Sequence, residues 1–292
     1  MTVARGKLVD ETVTPWYHCT SRCVRRLMLM GDGFEHRKQW LEERLEMLSA
    51  NTGIHCAGYA IMDNHLHLLL RLDSAATAAW TPEEVAQRWA RLFPPRESKG
   101  QGPVNIEAWI AAHAEDTQWV EMARGRLGSI SWYMKWLKEP LARMANKQDK
   151  VTGAFWEARF RSIAILDVES LLATCAYIDL NPVAAGIAPT PEDSSHTSFH
   201  ARVEHCREAG ELGGLKDGLS TETSQTETER THWLLPIEDR REQGEAVLGL
   251  LGGFTLSCYA RLLDWTSRQR SLKYLLELIK NSGMTPIFLK IC

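Results

Sequence analysis

The sequence predicts an α+β protein in which a ferredoxin-like antiparallel sheet carries helices on one face. Three observations predict this fold class. Strand-like and helical segments follow the order β-α-β-β-α-β, a tight turn joins the second and third strands, and the third strand has one fully apolar face. The composition agrees, because 44% of the 292 residues are hydrophobic, enough to bury a sizeable core.

The first three elements follow from β-forming residues and apolar spacing. The stretch "WYHCTSRCV" at 16–24 predicts a strand, and "FEHRKQWLEERLEMLSA" at 34–50 repeats apolar residues at helical spacing. "IHCAGYAIM" at 54–62 predicts the second strand. The Asp63-Asn64 pair that follows tolerates the left-handed conformations of a tight turn.

The third strand carries the first candidate site. In "MDNHLHLLLRL" at 62–72, a two-residue period puts His65 and His67 on one face and four leucines on the other. We expect the leucine face to be core, while the opposite face presents two imidazoles side by side. A His-x-His pair alone is more often structural than functional, so this pattern by itself leaves its role open.

An insertion, a helix and a fourth strand complete the predicted fold. Residues 73–130 predict a mostly helical insertion, and "WYMKWLKEPLARMAN" at 132–146 predicts a helix that is interrupted or kinked near Pro140. "RFRSIAIL" at 159–166 predicts the fourth strand.

A polar stretch predicts the domain organisation. Residues 201–232 are rich in Gly, Ser, Thr and Glu and predict a solvated linker after a domain that spans 10–200. The apolar runs "AVLGLLGGFTLSCYARLLDW" and "LKYLLELIK" predict a small, mostly helical C-terminal region at 233–292, to which the sequence assigns no role.

The helix in "DVESLLATCAYIDLNPVAAG" at 167–186 carries the second candidate site. Asp167 is a good N-cap, and Pro182 is expected to end the helix or distort its last turn. The spacing puts four polar residues on one stripe of the helix, namely Ser170, Thr174, Tyr177 and Asn181. Tyr177 is thus predicted to lie on a polar face.

Basic residues are concentrated after the insertion. The net charge of −3 does not indicate a polyanionic partner, but Lys135, Lys138, Arg143, Arg159 and Arg161 are interleaved with Trp132, Trp136, Phe155 and Trp156. Such a pattern suits a single-stranded nucleic-acid groove, where cations contact phosphates and aromatic rings stack on bases. An ordinary solvated face is the competing interpretation.

Targeting signals are missing from the N-terminal stretch. It has no signal-peptide-like apolar run, and the seven cysteines, an odd number without a repeating framework, are expected to be thiols. We therefore expect a cytoplasmic protein.

Several segments together carry a resemblance to a known family. The opening "WYHCTSRCVRR", the His65-Leu66-His67 strand, "GAFWEARFRSIAI" at 153–165, "AYIDLNPVAAG" at 176–186 and "HTS" at 196–198 resemble the REP-associated tyrosine transposases, a branch of the single-tyrosine HUH transposases. The resemblance covers about residues 10–200. The insertion and the region after the linker depart from the family pattern.

The resemblance implies a site and a substrate. It implies the HUH transposase fold, with His65 and His67 binding a divalent metal, Mg²⁺ or Mn²⁺, Tyr177 as nucleophile and Asn181 as a candidate third metal ligand. The implied partner is single-stranded DNA with palindromic hairpins, met in the nucleoid of the cytoplasm, and both a monomer and a homodimer stay open. The candidate DNA-binding residues are Arg22, Lys135, Lys138, Arg143, Arg159 and Arg161.

The predicted reaction is cleavage and rejoining of a DNA strand through a 5′-phosphotyrosine. Two alternatives remain open at this point. A domesticated DNA-binding regulator on the same fold would bind without cutting, and a metal-dependent hydrolase with a water nucleophile would keep its activity in Tyr177→Phe.

Overall fold

A four-stranded antiparallel sheet forms the centre of the molecule and confirms the predicted fold class. The computed structural model describes residues 9–96, 104–211 and 228–268. The strands follow the spatial order β2-β3-β1-β4, which is the order of a ferredoxin-like sheet. They are β1 (Trp16–Arg22), β2 (Ile54–Ile61), β3 (His65–Leu72) and β4 (Arg161–Ala164).

Helices connect and cover these strands. In chain order they are α1 (Glu35–Asn51), α2 (Ser74–Ala79), α3 (Pro82–Leu92), α4 (Ile106–Ala114), α5 (Thr117–Leu127), α6 (Ile130–Asp149), α7 (Val168–Asp179), α8 (Asn181–Ala184), α9 (Ser198–Glu208) and α10 (Leu256–Arg268). The insertion predicted at 73–130 therefore contains helices α2 to α5. A pair of two-residue parallel strands, β5 (Glu238–Asp239) and β6 (Leu251–Gly252), precedes α10.

One face of the sheet forms the larger core. Leu66, Leu68 and Leu70 of β3 are buried together with Leu41 and Leu45 of α1 and the apolar side of α6. This face is the one that the leucine alternation predicts. The two imidazoles consequently point to the opposite face of the sheet.

Helix α6 runs through Pro140 without ending there. Proline lacks an N–H group, so the Trp136 carbonyl four residues earlier has no intrahelical donor at that position. The Arg44 guanidinium of α1 donates to this carbonyl at 3.3 Å. A tertiary hydrogen bond thus compensates for the proline that the sequence marks as an interruption.

A second helical layer covers the imidazole-bearing face. Leu69 of β3 and Ala57 of β2 pack with Leu172 and Ala176 of α7, and helices α9 and α10 extend the same cluster. The sheet therefore carries helices on both faces, in addition to the α1 and α6 layer expected from the sequence.

The predicted linker is partly folded. Residues 201–208 belong to α9, and Arg202 forms an ion pair with Glu229 at 3.1 Å in which both side chains are buried. Arg202 also donates to the carbonyls of Ala57 and Leu235. The polar composition suggests a solvated segment. The charges of Arg202 and Glu229 can nevertheless be buried, because they are paired and hydrogen-bonded. Residues 212–227 lie outside the described residues.

The C-terminal region differs from the predicted helices. Within 233–268 it is α-helical only from Leu256 onwards, and a single turn of 3-10 helix lies at Arg241–Gln243. The segment before Leu256 contains Gly249, where a Cβ would lie 2.2 Å from the Glu238 carbonyl oxygen. A glycine is required for this close approach to β5. The predicted "LKYLLELIK" helix lies outside the described residues.

Two general features of the described residues concern membrane spans and cysteines. No helix in the described ranges 9–96, 104–211 and 228–268 is long and apolar enough to cross a membrane. Five cysteines of the described residues are buried thiols, namely Cys19, Cys23, Cys56, Cys175 and Cys206.

Candidate active site

The pairing register of the two central strands, β1 and β3, determines which side chains of the sheet lie together in the site. Strand β1 pairs with β3 so that Thr20 lies opposite His67 and Arg22 lies opposite His65. Alternation then puts these four side chains on one face of the sheet. His67 is 7% exposed, so its ring is largely enclosed.

Helix α7 brings Tyr177 to the histidines. Its N-cap Asp167 accepts from the Ser170 N–H at 2.6 Å, as the sequence predicts. The helix buries its apolar side against the sheet; of the predicted polar stripe, Ser170 and Tyr177 are exposed and the other two residues are half-buried. Near the end of the helix the Tyr177 ring lies edge-on to the His67 ring, with 5.4 Å between their centroids.

Exposure distinguishes Tyr177 from the other described tyrosines. Its side chain is 38% exposed, while the other four in the described part of the chain are at most 2% exposed, namely Tyr17, Tyr59, Tyr133 and Tyr259. A hydroxyl group must be reachable to attack a bound substrate. Asn181, at the start of α8, lies close to the His65 imidazole.

His18 is a site residue that the sequence reasoning missed. Its Nε2 lies 2.9 Å from Nδ1 of His67, and the two rings stack with centroids 5.1 Å apart. The His18 ring also lies edge-on to the Tyr177 ring, with 6.1 Å between the ring centroids. The strand alternation in "WYHCTSR" puts His18 on the face of Thr20 and Arg22, and this signal would have identified it.

Asn64 fixes the protonation pattern of His65. The Asn64 Nδ2 donates to the Arg26 carbonyl at 3.1 Å, so the oxygen of the same amide must be the atom that faces His65 Nδ1 at 2.6 Å. An amide oxygen only accepts, so His65 Nδ1 carries the hydrogen. The Nε2 atom of His65 therefore has a free lone pair in the neutral ring.

Burial keeps the site histidines neutral. It lowers the pKa of His67 to about 3, assisted by the neighbouring His18 and His65, and it lowers the pKa of His18 to about 4. Burial and then the Arg22 charge lower the pKa of His65, and the Asn181 amide, which can accept from the protonated ring, opposes this shift. Neutral imidazoles at pH 7 are the form that can ligate a metal.

The donor set fits a hard or borderline divalent cation. Within the described residues no three His, Cys, Asp or Glu side chains group closely enough to hold a metal ion by themselves. Two imidazole nitrogens and the amide oxygen of Asn181 would form an incomplete set that suits Mn²⁺ at least as well as Mg²⁺. Such a set leaves coordination positions for a phosphate.

Arginines surround the histidines. A depression of about 220 Å³ is lined by His65 and His67 together with Arg22, Arg26, Arg159 and Arg161. Three of the predicted DNA contacts, Arg22, Arg159 and Arg161, are thus brought together with the imidazoles. A larger cavity of about 870 Å³, between 180–192 and the end of α10, contains none of the predicted site residues.

The other three predicted DNA contacts lie on α6, which packs against the opposite face of the sheet. Lys138 is 8% exposed and donates to the Ala158 carbonyl at 3.1 Å, so its buried position does not fit a phosphate-contacting role. Arg143 is exposed but pairs with Glu139 one turn away at 2.7 Å. Lys135 is exposed, with its ammonium 4.6 Å from the centre of the Trp132 ring.

Comparisons with known proteins give one structural similarity to report. No protein-family model matches the chain, and no match is found among curated proteins. Among solved structures, the chain is similar to a REP-associated tyrosine transposase bound to a REP hairpin, with 14% sequence identity and a TM-score of 0.39. The similarity covers 65% of this chain and 78% of the other, and at this identity it concerns the fold alone.

Proposed function

We propose that this protein is a transposase-like enzyme that cleaves and rejoins single-stranded, hairpin-forming DNA through Tyr177, as a REP-associated tyrosine transposase. One observation carries the proposal. The exposed Tyr177 ring lies against the neutral pair His18 and His67, and His67 also lines, with His65, a depression whose wall includes four arginines. Residues able to act as nucleophile, as metal ligands and as phosphate-binding cations thus lie close together, and this supports the proposal.

In this proposal, His65 and His67 would hold Mg²⁺ or Mn²⁺ through their Nε2 atoms, with the Asn181 amide oxygen as third ligand. When bound, the metal supplies positive charge that polarises and orients a phosphodiester. Hydrogen bonds hold both imidazoles in place: His65 Nδ1–H donates to the Asn64 amide oxygen, and His67 Nδ1 pairs with His18 Nε2.

In the proposed strand transfer, Tyr177 is the nucleophile and arginines bind the phosphates. The Tyr177 hydroxyl gives up its proton as its oxygen attacks phosphorus; the new P–O bond forms, the P–O3′ bond breaks, and the leaving oxygen takes up one proton to become a 3′-hydroxyl, so that the number of protons is unchanged. The 5′-phosphate stays on Tyr177 as a phosphotyrosine. Attack by a 3′-hydroxyl of another strand then restores the tyrosine and rejoins the DNA. Arg22, Arg159 and Arg161 would bind the flanking phosphates.

A covalent-adduct experiment tests the proposal. Full-length protein is incubated with end-labelled single-stranded oligonucleotides tiled across the DNA that flanks its gene, with Mg²⁺, Mn²⁺ or a chelator. Denaturing gel electrophoresis then separates free from protein-linked label. We expect protein-linked label for the wild type with metal and none for Tyr177→Phe.

A matched control is Ser170→Ala, a change two turns earlier on the same exposed stripe of α7. It should form the adduct like the wild type. Metal-dependent cleavage that persists in Tyr177→Phe would replace the proposal with hydrolysis by water. Tight binding without cleavage in any metal would identify a DNA-binding protein that does not cut.

A further inference from the structure

A strained turn lies next to the candidate active site. Directly after β1, Arg25 and Arg26 have φ angles of 53° and 58°, two consecutive non-glycine residues in the left-handed region. Residues other than glycine rarely adopt this backbone conformation unless the surrounding structure imposes it. We call residues 24–28, "VRRLM", the arginine turn.

The arginine turn is held from both sides. The Val24 N–H donates to the Phe155 carbonyl at 2.9 Å, and Asn64 Nδ2 donates to the Arg26 carbonyl at 3.1 Å. The Cys23 N–H, just before the turn, donates to the Asn64 carbonyl at 2.7 Å. Because Asn64 also bonds to His65, the turn is fixed in position relative to the histidines.

The arginine turn presents two large apolar side chains to solvent. Leu27 is 49% exposed and Met28 is 60% exposed, whereas Met30, two residues later, is fully buried. A single exposed apolar residue needs no explanation, but a consecutive pair on a rigid support beside a candidate site does.

The charges around this apolar pair are not neutralised. Within the described residues no carboxylate lies within ion-pair distance of Arg22, Arg25, Arg26, Arg159 or Arg161, although Glu157 lines the same depression. Elsewhere Arg37 pairs with Asp149 and Arg202 pairs with Glu229. A polyanion with apolar surfaces complements this combination better than another protein surface would.

We propose that Leu27 and Met28 form a contact surface for one unpaired base of single-stranded DNA, while Arg25 and Arg26 bind the adjoining phosphates. The inference rests on the proposed function for the identity of the DNA. It assigns the arginine turn to the recognition of an unpaired nucleotide near the scissile phosphate. The turn takes no part in the bond-making step.

Binding without cleavage tests this role. The Tyr177→Phe protein, in chelator, is titrated with a DNA hairpin that carries ten-nucleotide single-stranded extensions, in which 2-aminopurine replaces each base in turn. We expect its fluorescence to change at one position. Leu27→Ser/Met28→Ser should abolish that change and weaken binding by about fivefold or more, as loss of one base contact does.

DNA with an abasic nucleotide at the responding position completes a double-mutant cycle, in which the protein surface and the base are each removed. If the apolar pair contacts that base, the Tyr177→Phe protein with and without Leu27→Ser/Met28→Ser should bind the abasic DNA equally. Ile106→Ser, which replaces a side chain 52% exposed on α4, is the matched control and should bind like the parent. Arg25→Gln/Arg26→Gln should lower the slope of log K against log salt by about 1.4, the value for two phosphates of a single strand.

The outcomes separate this inference from the proposed function. Equal affinities of parent and Leu27→Ser/Met28→Ser for intact DNA, or unequal affinities for abasic DNA, overturn the inference even if the wild type forms the tyrosine adduct. A base-specific loss of binding without any adduct in the wild type overturns the proposed function alone. Self-association that disappears in Leu27→Ser/Met28→Ser, with DNA binding unchanged, would assign the surface to a second copy instead.

Discussion

At the scale of single residues, the turn residue Asn64 connects two parts of the candidate site. Its amide oxygen accepts from His65 Nδ1 and its amide nitrogen donates to the Arg26 carbonyl. The sequence marks this residue only as one that tolerates a tight turn. Its position makes it a positioning residue for His65, the proposed metal ligand, and for the arginine turn together.

Asn64→Ala should weaken metal binding. Without the acceptor, the His65 ring is free to rotate and to take the tautomer with hydrogen on Nε2, which cannot ligate. Loss of such a partner typically reduces metal affinity about 10- to 100-fold. Titration with Mn²⁺, followed by the electron paramagnetic resonance of the free ion, measures the change.

Asn146→Ala is the control for this prediction, since the Asn146 amide donates to the Gly153 carbonyl away from the histidines. It should bind Mn²⁺ like the wild type. Unchanged affinity in Asn64→Ala would show that His65 needs no support from this amide.

At the scale of elements, a buried carboxylate joins three helices on the imidazole-bearing face. Asp179 ends α7 and accepts from Ser198 Oγ at 2.6 Å and the Phe199 N–H at 2.9 Å, both in α9. The Tyr259 hydroxyl of α10 donates to its second oxygen at 2.5 Å. Burial raises the pKa of Asp179, and these hydrogen bonds oppose the rise. The end of α7 that carries Tyr177 is thereby fixed.

Tyr259→Phe should lower the free energy of unfolding by about 1–3 kcal/mol, because it leaves one buried oxygen of Asp179 without its donor. Urea unfolding measures the difference. Tyr17→Phe is the matched control, since the Tyr17 hydroxyl accepts from the exposed Asp10 N–H, which water can satisfy. Equal losses in both variants would contradict a special role for the Asp179 network.

At the scale of the whole molecule, the region after the predicted linker belongs to the main fold. Leu235 donates its N–H to the Cys56 carbonyl at the edge of the sheet, and Leu234 is part of the larger core. Leu235 and Ile237 are buried in the cluster around α7. These contacts make residues 233–268 a cover for the sheet.

His232, the residue directly before this region, is expected to make the fold sensitive to acid. Burial, then Arg202 and His205, lower the pKa of His232 to about 3, and its Nδ1 accepts from the Leu234 N–H. The unfolded chain, with a histidine pKa near 6.5, binds the proton more readily. The stability due to neutral His232 is therefore complete above pH 6.5 and is lost as the pH falls towards 3.

His232→Phe should consequently lose less stability than the wild type between pH 7 and pH 4.5, in urea unfolding at both values. His36→Phe, at an exposed position on α1, should lose as much as the wild type. If His232→Phe and the wild type lose the same amount, protonation of His232 does not contribute to acid unfolding.

The predictions that hold are those that depend on local geometry. The alternation of β3 separates Leu66, Leu68 and Leu70 from the two histidines, and the helical spacing of α7 leaves Tyr177 on an exposed stripe. Both follow from backbone periodicity, which is a property of the element itself. The strand order then follows from the sequence of elements and the short turn between β2 and β3.

What the sequence by itself determined is therefore the sheet, the face of each imidazole and the exposed tyrosine. Only the tertiary structure decided that His18 bonds to His67, that Asn64 joins His65 to the arginine turn, and that Lys138 is buried. It also decided that α9 and residues 228–268 cover the sheet. The physical reason is that register, layer order and the pairing of buried charges depend on residues far apart in the chain, which no local pattern specifies.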